Sequence, residues 1–166
     1  ATLTPAAVLV PLVTYLDGLT AMFTRRTGHL LHHPGQISFP GGHIDPGDET
    51  PEETALRETE EETGLDPRHV EIIGHLNQYV TRTGFLITPV VALVEPPFEL
   101  NPDPDEVEEV FEVPLAFLLD PANHQRHSRE FEGRSREFYA MPYEGYFIWG
   151  ATAGMLIDLY EVLREQ

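Results

Sequence analysis

The sequence predicts a layered α/β or α+β domain, because segments with strand and helix patterns alternate along the chain. Apolar, β-branched runs bounded by turn residues predict strands, whereas a capped acidic segment and an apolar C-terminal segment predict helices. With 166 residues, of which 41% are hydrophobic, the chain suits a single domain, residues 1–166, with its own core.

The chain begins with two predicted strands, Ala7 to Tyr15 and Leu19 to Arg25. Both are rich in apolar residues, and Asp17-Gly18 between them has the composition of a hairpin turn. We therefore expect an antiparallel pair of strands at the start of the fold.

The next predicted element is a helix beginning near Thr50. Thr50 suits the N-cap, Pro51 the first helical position, and Glu53 completes a capping box. Gly64 suits the left-handed residue that ends a helix, and Pro67 blocks continuation. These signals predict a helix of about four turns.

The second half of the chain contains further strands, a hairpin and two helices. Apolar or alternating composition predicts the strands, mixed polar and aromatic composition the hairpin, and periodic apolar residues the closing helix. In chain order these segments are strands at Val70 to Val80, Phe85 to Val94 and Val107 to Val113, a short helix at Pro114 to Leu119, a hairpin at His127 to Tyr139 and the closing helix at Ala151 to Leu163.

Three glutamates on the capped helix form the most informative pattern. Glu58, Glu61 and Glu62 are spaced i, i+3 and i+4, which places them on one helix face. Three like charges this close repel one another, and a divalent cation reverses that interaction. Mg²⁺ prefers oxygen ligands and is usually held by one or two carboxylates together with substrate phosphates. The spacing predicts a metal site for a phosphate-containing ligand, and a solvated acidic face is the alternative.

A glycine-rich loop, which includes Gly41, Gly42 and Gly47, precedes this helix and allows backbone to approach a ligand closely. Loop and helix together resemble the signature of the Nudix hydrolases. The matching residues are Gly42, Arg57, Glu58, Glu61, Glu62, Gly64 and Leu65. Thr59 replaces an aliphatic residue, and the spacing from Gly42 to Arg57 is one residue too long. Either Asp48 or Glu49 is therefore the loop carboxylate expected to contact Arg57.

This resemblance implies a mixed β-sheet sandwiched between α-helices and a metal-dependent hydrolase of pyrophosphate bonds. It implies Mg²⁺ or Mn²⁺ as the cofactor, held by Glu58, Glu61, Glu62 and the backbone carbonyl of Gly42. Glu58 or Glu62 would also suit a general base, and Arg57 is expected to orient a carboxylate. Many family members recruit one more carboxylate, for which the sequence leaves open Glu106, Glu108, Glu109, Glu112 and Glu144.

A second resemblance, to the coenzyme A pyrophosphatases within this family, lies upstream of the helix. It rests on Thr24, Arg26, Gly35, Gln36 and the run Phe39 to Gly42, and Ile148 to Ala153 adds a shorter match. Thr27 and Leu31 depart from the pattern, and Leu31 stands where a second arginine is usual. The implied substrate-binding residues are Arg25, Arg26, Gln36 and His33. For Arg25, Arg26 and His33, an ordinary surface role is the alternative.

Three functions remain open on this evidence. The resemblance favours hydrolysis of coenzyme A, or its derivatives, to 3′,5′-ADP and 4′-phosphopantetheine. Leu31 favours a broader nucleoside-diphosphate pyrophosphatase acting on ADP-ribose or dinucleotides. A nucleotide sensor without catalysis is disfavoured, because all three helix glutamates are present.

Composition limits the partners. The chain has 28 acidic and 10 basic residues and a net charge of −18, which argues against nucleic-acid binding. Because bound metal ions invert the local electrostatics, an acidic protein still binds a pyrophosphate through its metals. The absence of cysteine excludes disulfides and thiol nucleophiles. We expect a cytoplasmic enzyme with a small-molecule substrate, without a membrane segment and with its oligomeric state open.

Overall fold

The computed structural model describes residues 2–28 and 35–165. Eight of the strands in this part of the chain form one sheet. They are β1 (Thr4–Tyr15), β2 (Gly18–Arg26), β3 (Ile37–Ser38), β4 (Gly41–His43), β5 (Val70–His75), β6 (Tyr79–Val80), β7 (Phe85–Val94) and β8 (Val107–Pro114). The sheet is mixed, because β1 runs parallel to β7 and antiparallel to β2 and β4.

Three further strands form a separate antiparallel sheet in the order β11-β10-β9. Its strands are β9 (Gln125–Phe131), β10 (Arg134–Tyr143) and β11 (Tyr146–Trp149). The helices are α1 (Pro51–Thr63), α2 (Leu115–Leu118) and α3 (Gly150–Arg164). The fold is therefore α+β, as the sequence predicts.

Strand β1 lies between two layers of the core, because its alternate side chains point to opposite faces. Ala7 and Leu9 pack with Ala55 of α1 on one face. Val8 and Val10 belong to the cluster on the other face, which also includes side chains of α3, β10 and β11. This arrangement confirms a mixed sheet between helices, and it explains why β1 is apolar at nearly every position.

Two local predictions are wrong. Tyr15 pairs with Gly18, so the first hairpin turns at Leu16-Asp17 and not at Asp17-Gly18. Val70 to Val80 is not one strand, because the pairing of β5 with β7 shifts register between Ile72 and Gly74. The chain leaves the sheet after His75 and pairs with β7 again only at β6.

The remaining strands, the hairpin, the short helix and the closing helix lie where the sequence predicts them, with ends that differ by at most four residues. Within residues 2–28 and 35–165, none of the helices is long and apolar enough to cross a membrane. The cytoplasmic location stays a prediction.

Candidate active site

Helix α1 is fixed at both ends by the residues that predicted it. The Thr50 hydroxyl accepts a hydrogen bond from Glu53 N at 3.1 Å, and Gly64 adopts a left-handed φ of 79°. Gly64 N donates to Glu60 O at 2.8 Å, which closes the last turn. The Glu53 carboxylate accepts from Glu49 N at 3.1 Å instead of from the N-cap backbone. The predicted helix and its caps are thus confirmed, with the capping box displaced by one residue.

The three helix glutamates differ strongly in burial. Glu62 is only 7% exposed and lies among the buried residues of α1. The Glu58 side chain is 23% exposed and that of Glu61 is 61% exposed. Exposure therefore increases across the predicted acidic face, from buried Glu62 through Glu58 to exposed Glu61.

The glycine loop meets the two inner glutamates. Gly41 N donates to Glu62 Oε1 at 3.1 Å. A β-carbon on Gly42 would overlap the Glu58 carboxylate, and one on Gly41 would overlap the backbone of β1. Since β4 is held against β1 by backbone pairing, the loop has no room to move away. A methyl group at position 41 would therefore meet fixed backbone, whereas one at position 42 would displace the Glu58 carboxylate.

Arg57 contacts the loop carboxylate that the sequence left undecided. Its Nη2 lies 3.1 Å from Asp48 Oδ2, and its Nη1 lies 3.3 Å from Asp45 Oδ2. Asp48 also accepts a hydrogen bond from the Thr54 hydroxyl at 2.7 Å. The Thr54 hydroxyl, the Asp45 backbone N–H and the Arg57 charge together lower the pKa of Asp48. The loop carboxylate is thus Asp48 and not Glu49.

Arg57 also reaches the helix glutamates. Its Nη2 lies 3.3 Å from Glu58 Oε2, and its Nε lies 4.0 Å from Glu61 Oε1. The guanidinium therefore links the loop to two carboxylates of the helix. The orienting role of Arg57 stays a prediction.

Of the five candidate carboxylates outside α1, Glu106 acts on the helix glutamates. The loop before β8 is tied to the end of α1 by the hydrogen bond from Asp103 N to Glu62 O, 3.0 Å long. Glu106 N then donates to Asp103 O at 3.1 Å, and Thr27 N donates to Glu106 O at 3.1 Å. The charge of Glu106 raises the pKa of both Glu58 and Glu62.

The other four carboxylates have different neighbours. Glu108 and Glu109 pair with Arg25, Glu112 accepts hydrogen bonds from Thr20 and Tyr15, and Glu144 interacts with Tyr143.

The inner glutamates carry raised pKa values. Burial raises the pKa of Glu62 to about 8, and the charges of Glu58 and Glu106 add to this while Gly41 N–H and Arg26 oppose it. Burial and the charge of Glu61 raise the pKa of Glu58 to about 7, while Arg57 opposes this rise. Ionising both carboxyl groups in the folded protein therefore costs free energy, which a bound cation would offset.

The donor set is suited to a hard divalent cation. Among the described residues, no group of three or more His, Asp or Glu side chains is arranged to hold a metal ion as it stands. The groups that converge are carboxylate oxygens of Glu58 and Glu62, and backbone of Gly41 and Gly42. Oxygen donors of this kind are those that Mg²⁺ and Mn²⁺ prefer.

The predicted substrate residues separate into two groups. Arg25 lies 3.0 Å from Glu108 and 2.6 Å from Glu109, and its guanidinium stands 5.7 Å from the centre of the Tyr146 ring. A bulge in the β2–β8 pairing falls between Arg25 and Arg26, and Arg26 lowers the pKa of Glu62.

Gln36 O accepts a hydrogen bond from Arg26 N at 2.9 Å. Arg26 therefore acts on Glu62 and pairs with the backbone of Gln36, whereas Arg25 has carboxylate partners of its own. His33 and Leu31 lie outside the described residues.

Comparison with known families identifies this arrangement of loop and helix. Residues 4–132 match the family described as the NUDIX domain. The chain belongs to the Nudix hydrolase family. An uncharacterized Nudix hydrolase of Escherichia coli strain K12 is 41% identical over 155 residues, covering 93% of this chain and 80% of that protein.

Two further comparisons concern a named enzyme and a solved structure. The peroxisomal coenzyme A diphosphatase of Mus musculus is 38% identical over 166 residues, covering 96% of this chain and 70% of that protein. The NUDIX domain of Shewanella oneidensis NrtR, solved with ADP-ribose, is 25% identical with a TM-score of 0.52, covering 72% of this chain and 77% of that one.

The sequence did not predict two contacts, that of Asp45 with Arg57 and that of Tyr146 beside Arg25. Asp45 joins Asp48 at Arg57 because the intervening Pro46-Gly47 turn brings them together: Asp48 N donates to Asp45 O at 2.9 Å. Tyr146 donates to Glu109 and stacks on Phe111 at 3.7 Å, which completes the surroundings of Arg25. The Asp-Pro-Gly-Asp sequence was a signal for the first, whereas the second depends on tertiary contacts alone.

Proposed function

We propose that this Nudix hydrolase cleaves the pyrophosphate bond of coenzyme A, or its derivatives, to 3′,5′-ADP and 4′-phosphopantetheine. The observations that carry the proposal are the positions of Glu58 and Glu62 at the Gly41-Gly42 loop and the charges of Glu106 and Arg26, which both act on Glu62. The similarity to a coenzyme A diphosphatase over 96% of the chain supports this substrate.

The proposed cofactor is Mg²⁺ or Mn²⁺. Glu58, Glu61, Glu62 and the carbonyl of Gly42 would hold it, with Glu106 as the additional carboxylate. When bound, such ions lower the pKa of water and neutralise charge on the departing phosphate. We propose that residues 1–166 supply this chemistry as one domain.

The proposed roles of the other residues follow from their contacts. Arg57 and Asp48 fix the loop against α1, so that the glutamates keep their positions. Gly41 N–H holds one oxygen of Glu62, which leaves the other oxygen free to bind. Arg26 and Gln36, at the edge of this site, would orient substrate phosphates, and His33 remains a predicted contact.

A parallel assay tests the substrate. The protein is incubated with Mg²⁺ and, separately, coenzyme A, 3′-dephospho-coenzyme A, ADP-ribose and NADH, and the products are resolved by chromatography. We expect 3′,5′-ADP from coenzyme A, slower cleavage of the dephospho form, and no product after chelation. Equal rates on both coenzymes would show that the protein does not recognise the 3′-phosphate of coenzyme A.

The second candidate is a broader nucleoside-diphosphate pyrophosphatase. It is favoured by the carboxylate partners of Arg25, since a paired arginine is less available to a substrate phosphate. The NrtR domain solved with ADP-ribose offers a structural relative for such a ligand. Faster cleavage of ADP-ribose than of coenzyme A would establish this function instead.

One substitution distinguishes a non-catalytic nucleotide sensor from either kind of enzyme. Glu61→Gln should abolish turnover in an enzyme, whereas a sensor would show no turnover before or after the change and would keep its ligand affinity. Isothermal titration with ADP-ribose and with coenzyme A measures the latter.

A further inference from the structure

The β9–β10 hairpin concentrates positive charge in a strongly acidic protein. Its residues 126–136 include Arg126, Arg129, Arg134 and Arg136, which are four of the ten basic residues of a chain with net charge −18. The hairpin therefore differs in charge from the rest of the molecule, and it lies outside the carboxylate site described above.

Two of these arginines face each other across the hairpin. Arg129 and Arg136 occupy directly opposite positions in the β9–β10 pairing, where like charges destabilise a sheet. Within the part of the chain that the structure describes, neither has an ion pair, and Arg136 Nε is buried without a hydrogen-bond partner. By contrast, Arg126 pairs with Glu137 at 3.1 Å.

The arrangement suggests an anion site, because the protein has 28 acidic residues and leaves this pair unneutralised. Planar guanidinium groups bind phosphate through two hydrogen bonds each.

Aromatic rings share the face of the hairpin on which this arginine pair lies. His127 and Phe138 occupy the next opposite pair, with ring centres 5.4 Å apart. Phe138 contacts Trp149 at 5.2 Å, and Trp149 contacts Phe147 at 6.4 Å. Phe147 is 44% exposed, so the aromatic surface reaches solvent.

The spacing along the strands places the aromatic rings and the arginines close enough together for one small ligand to contact both. Residues two apart in a strand lie about 7 Å apart on the same face, which is the separation expected between Arg136 and Phe138. An aromatic base stacks on such rings, and its ribose spans the interval to a phosphate held by the arginines.

We propose that this face, formed by His127, Arg129, Arg136, Phe138 and Trp149, binds a phosphorylated nucleoside. The base stacks on the rings, and a phosphate monoester lies between Arg129 and Arg136. The net charge of −18 favours a small nucleotide over a nucleic-acid strand, since a long polyanion would be repelled by the remaining surface.

Trp149, the only tryptophan, reports binding directly. Its fluorescence is followed while the full chain, in EDTA, is titrated with adenosine 3′,5′-bisphosphate, adenosine or inorganic phosphate. We expect saturable quenching by the bisphosphate and at least tenfold weaker binding of adenosine and of phosphate alone. No saturable change, or equal binding of adenosine and the bisphosphate, would overturn the proposal, as would much tighter binding of an oligonucleotide.

Arg129→Glu separates binding from folding. A glutamate opposite Arg136 replaces a repulsive pair with an attractive one, so the melting temperature should stay equal or rise. Bisphosphate affinity should fall at least tenfold. The matched control is Arg68→Gln, because Arg68 is an exposed arginine paired with Asp66 outside the hairpin. Unchanged affinity in Arg129→Glu, with the fold intact, would overturn the proposal.

Steady-state kinetics decide whether the nucleotide bound at the hairpin is part of the substrate or a separate molecule. This experiment rests on the proposed function. If the substrate itself occupies the hairpin, Arg129→Glu raises KM for coenzyme A at unchanged kcat. If a separate nucleotide occupies it, Arg129→Glu weakens bisphosphate binding but leaves KM for coenzyme A unchanged. Because the fluorescence titration needs neither metal nor turnover, bisphosphate binding without coenzyme A cleavage would refute the proposed function and leave the hairpin site standing.

Discussion

At the scale of single residues, the site depends on a few polar contacts that sequence alone did not fully specify. The helix spacing predicted Glu58, Glu61 and Glu62 as a group, because three residues and one helical period determine their proximity. It did not predict that Glu62 is buried while Glu61 is exposed, since that depends on how α1 is rotated against the sheet.

The same limit applied to the loop carboxylate. Asp48 and Glu49 were equivalent in sequence, and only the loop conformation brings Asp48 to Arg57 and Thr54.

Asp48→Asn tests the positioning role of the loop. The change removes the charge that faces Arg57, so we expect kcat/KM to fall roughly 10- to 100-fold, as when an outer-shell partner of a metal ligand is lost. Glu49→Gln is the matched control and should stay near wild type, because Glu49 contributes its backbone N–H and not its carboxylate. Steady-state kinetics with Mg²⁺ measure both, and equal losses in the two variants would contradict the assignment.

Gly42→Ala tests the close approach of backbone to Glu58. The added methyl group overlaps the Glu58 carboxylate, so we expect a loss of about 100-fold in kcat, as a misplacement of about 1 Å can cause. Gly47→Ala, where an added methyl meets no atom within 4 Å, should retain activity. A fully active Gly42→Ala enzyme would show that the contact is dispensable.

At the scale of elements, capping residues and periodicity were sufficient to predict an element when the contacts that determine its ends are local. Thr50, Pro51 and Gly64 defined α1 to within a residue, because a helix end is fixed by the side chains that satisfy its own backbone. The strand predicted at Val70 to Val80 was too long, because the bulge between Ile72 and Gly74 and the end of β5 at His75 depend on pairing with β7. The partners of Arg25 were likewise unpredictable, since they lie on β8 and β11.

Arg25 and Arg26 should therefore respond differently to substitution. Arg25→Gln removes ion pairs and a ring contact that join β2 to β8 and β11, and we expect a loss of about 1 kcal/mol in the free energy of unfolding. Arg26→Gln should change stability less and should reduce kcat/KM for coenzyme A more than for 3′-dephospho-coenzyme A. Urea unfolding and paired kinetics measure these effects, and a reversed pattern would return Arg25 to the substrate site.

At the scale of the whole molecule, a net charge of −18 is combined with one buried glutamate, Glu62, and one partly buried glutamate, Glu58. The pKa of Glu62 is raised to about 8 in the folded protein from 4.5. Its contribution to stability is therefore complete below about pH 4.5 and is lost as the pH rises through about 8.

For the metal-free protein, we expect the free energy of unfolding to fall by a few kcal/mol between about pH 5 and pH 9. Glu62→Gln should reduce this fall, whereas exposed Glu60→Gln should not, and added Mg²⁺ should reverse it in the wild type. Urea unfolding in EDTA at each pH measures the effect. A wild-type profile identical to that of Glu62→Gln would show that burial of this carboxylate has no energetic cost.

The central proposal is that this protein hydrolyses the pyrophosphate bond of coenzyme A and that the reaction depends on the glutamates of α1. The most direct measurement is the rate of 3′,5′-ADP release from coenzyme A in Mg²⁺ by the wild type and by Glu62→Gln, with Glu60→Gln as the control. We predict release by the wild type and the control, and a rate at least about 100-fold lower in Glu62→Gln. Release of 3′,5′-ADP at the wild-type rate by Glu62→Gln, or no release by the wild type, would contradict the claim.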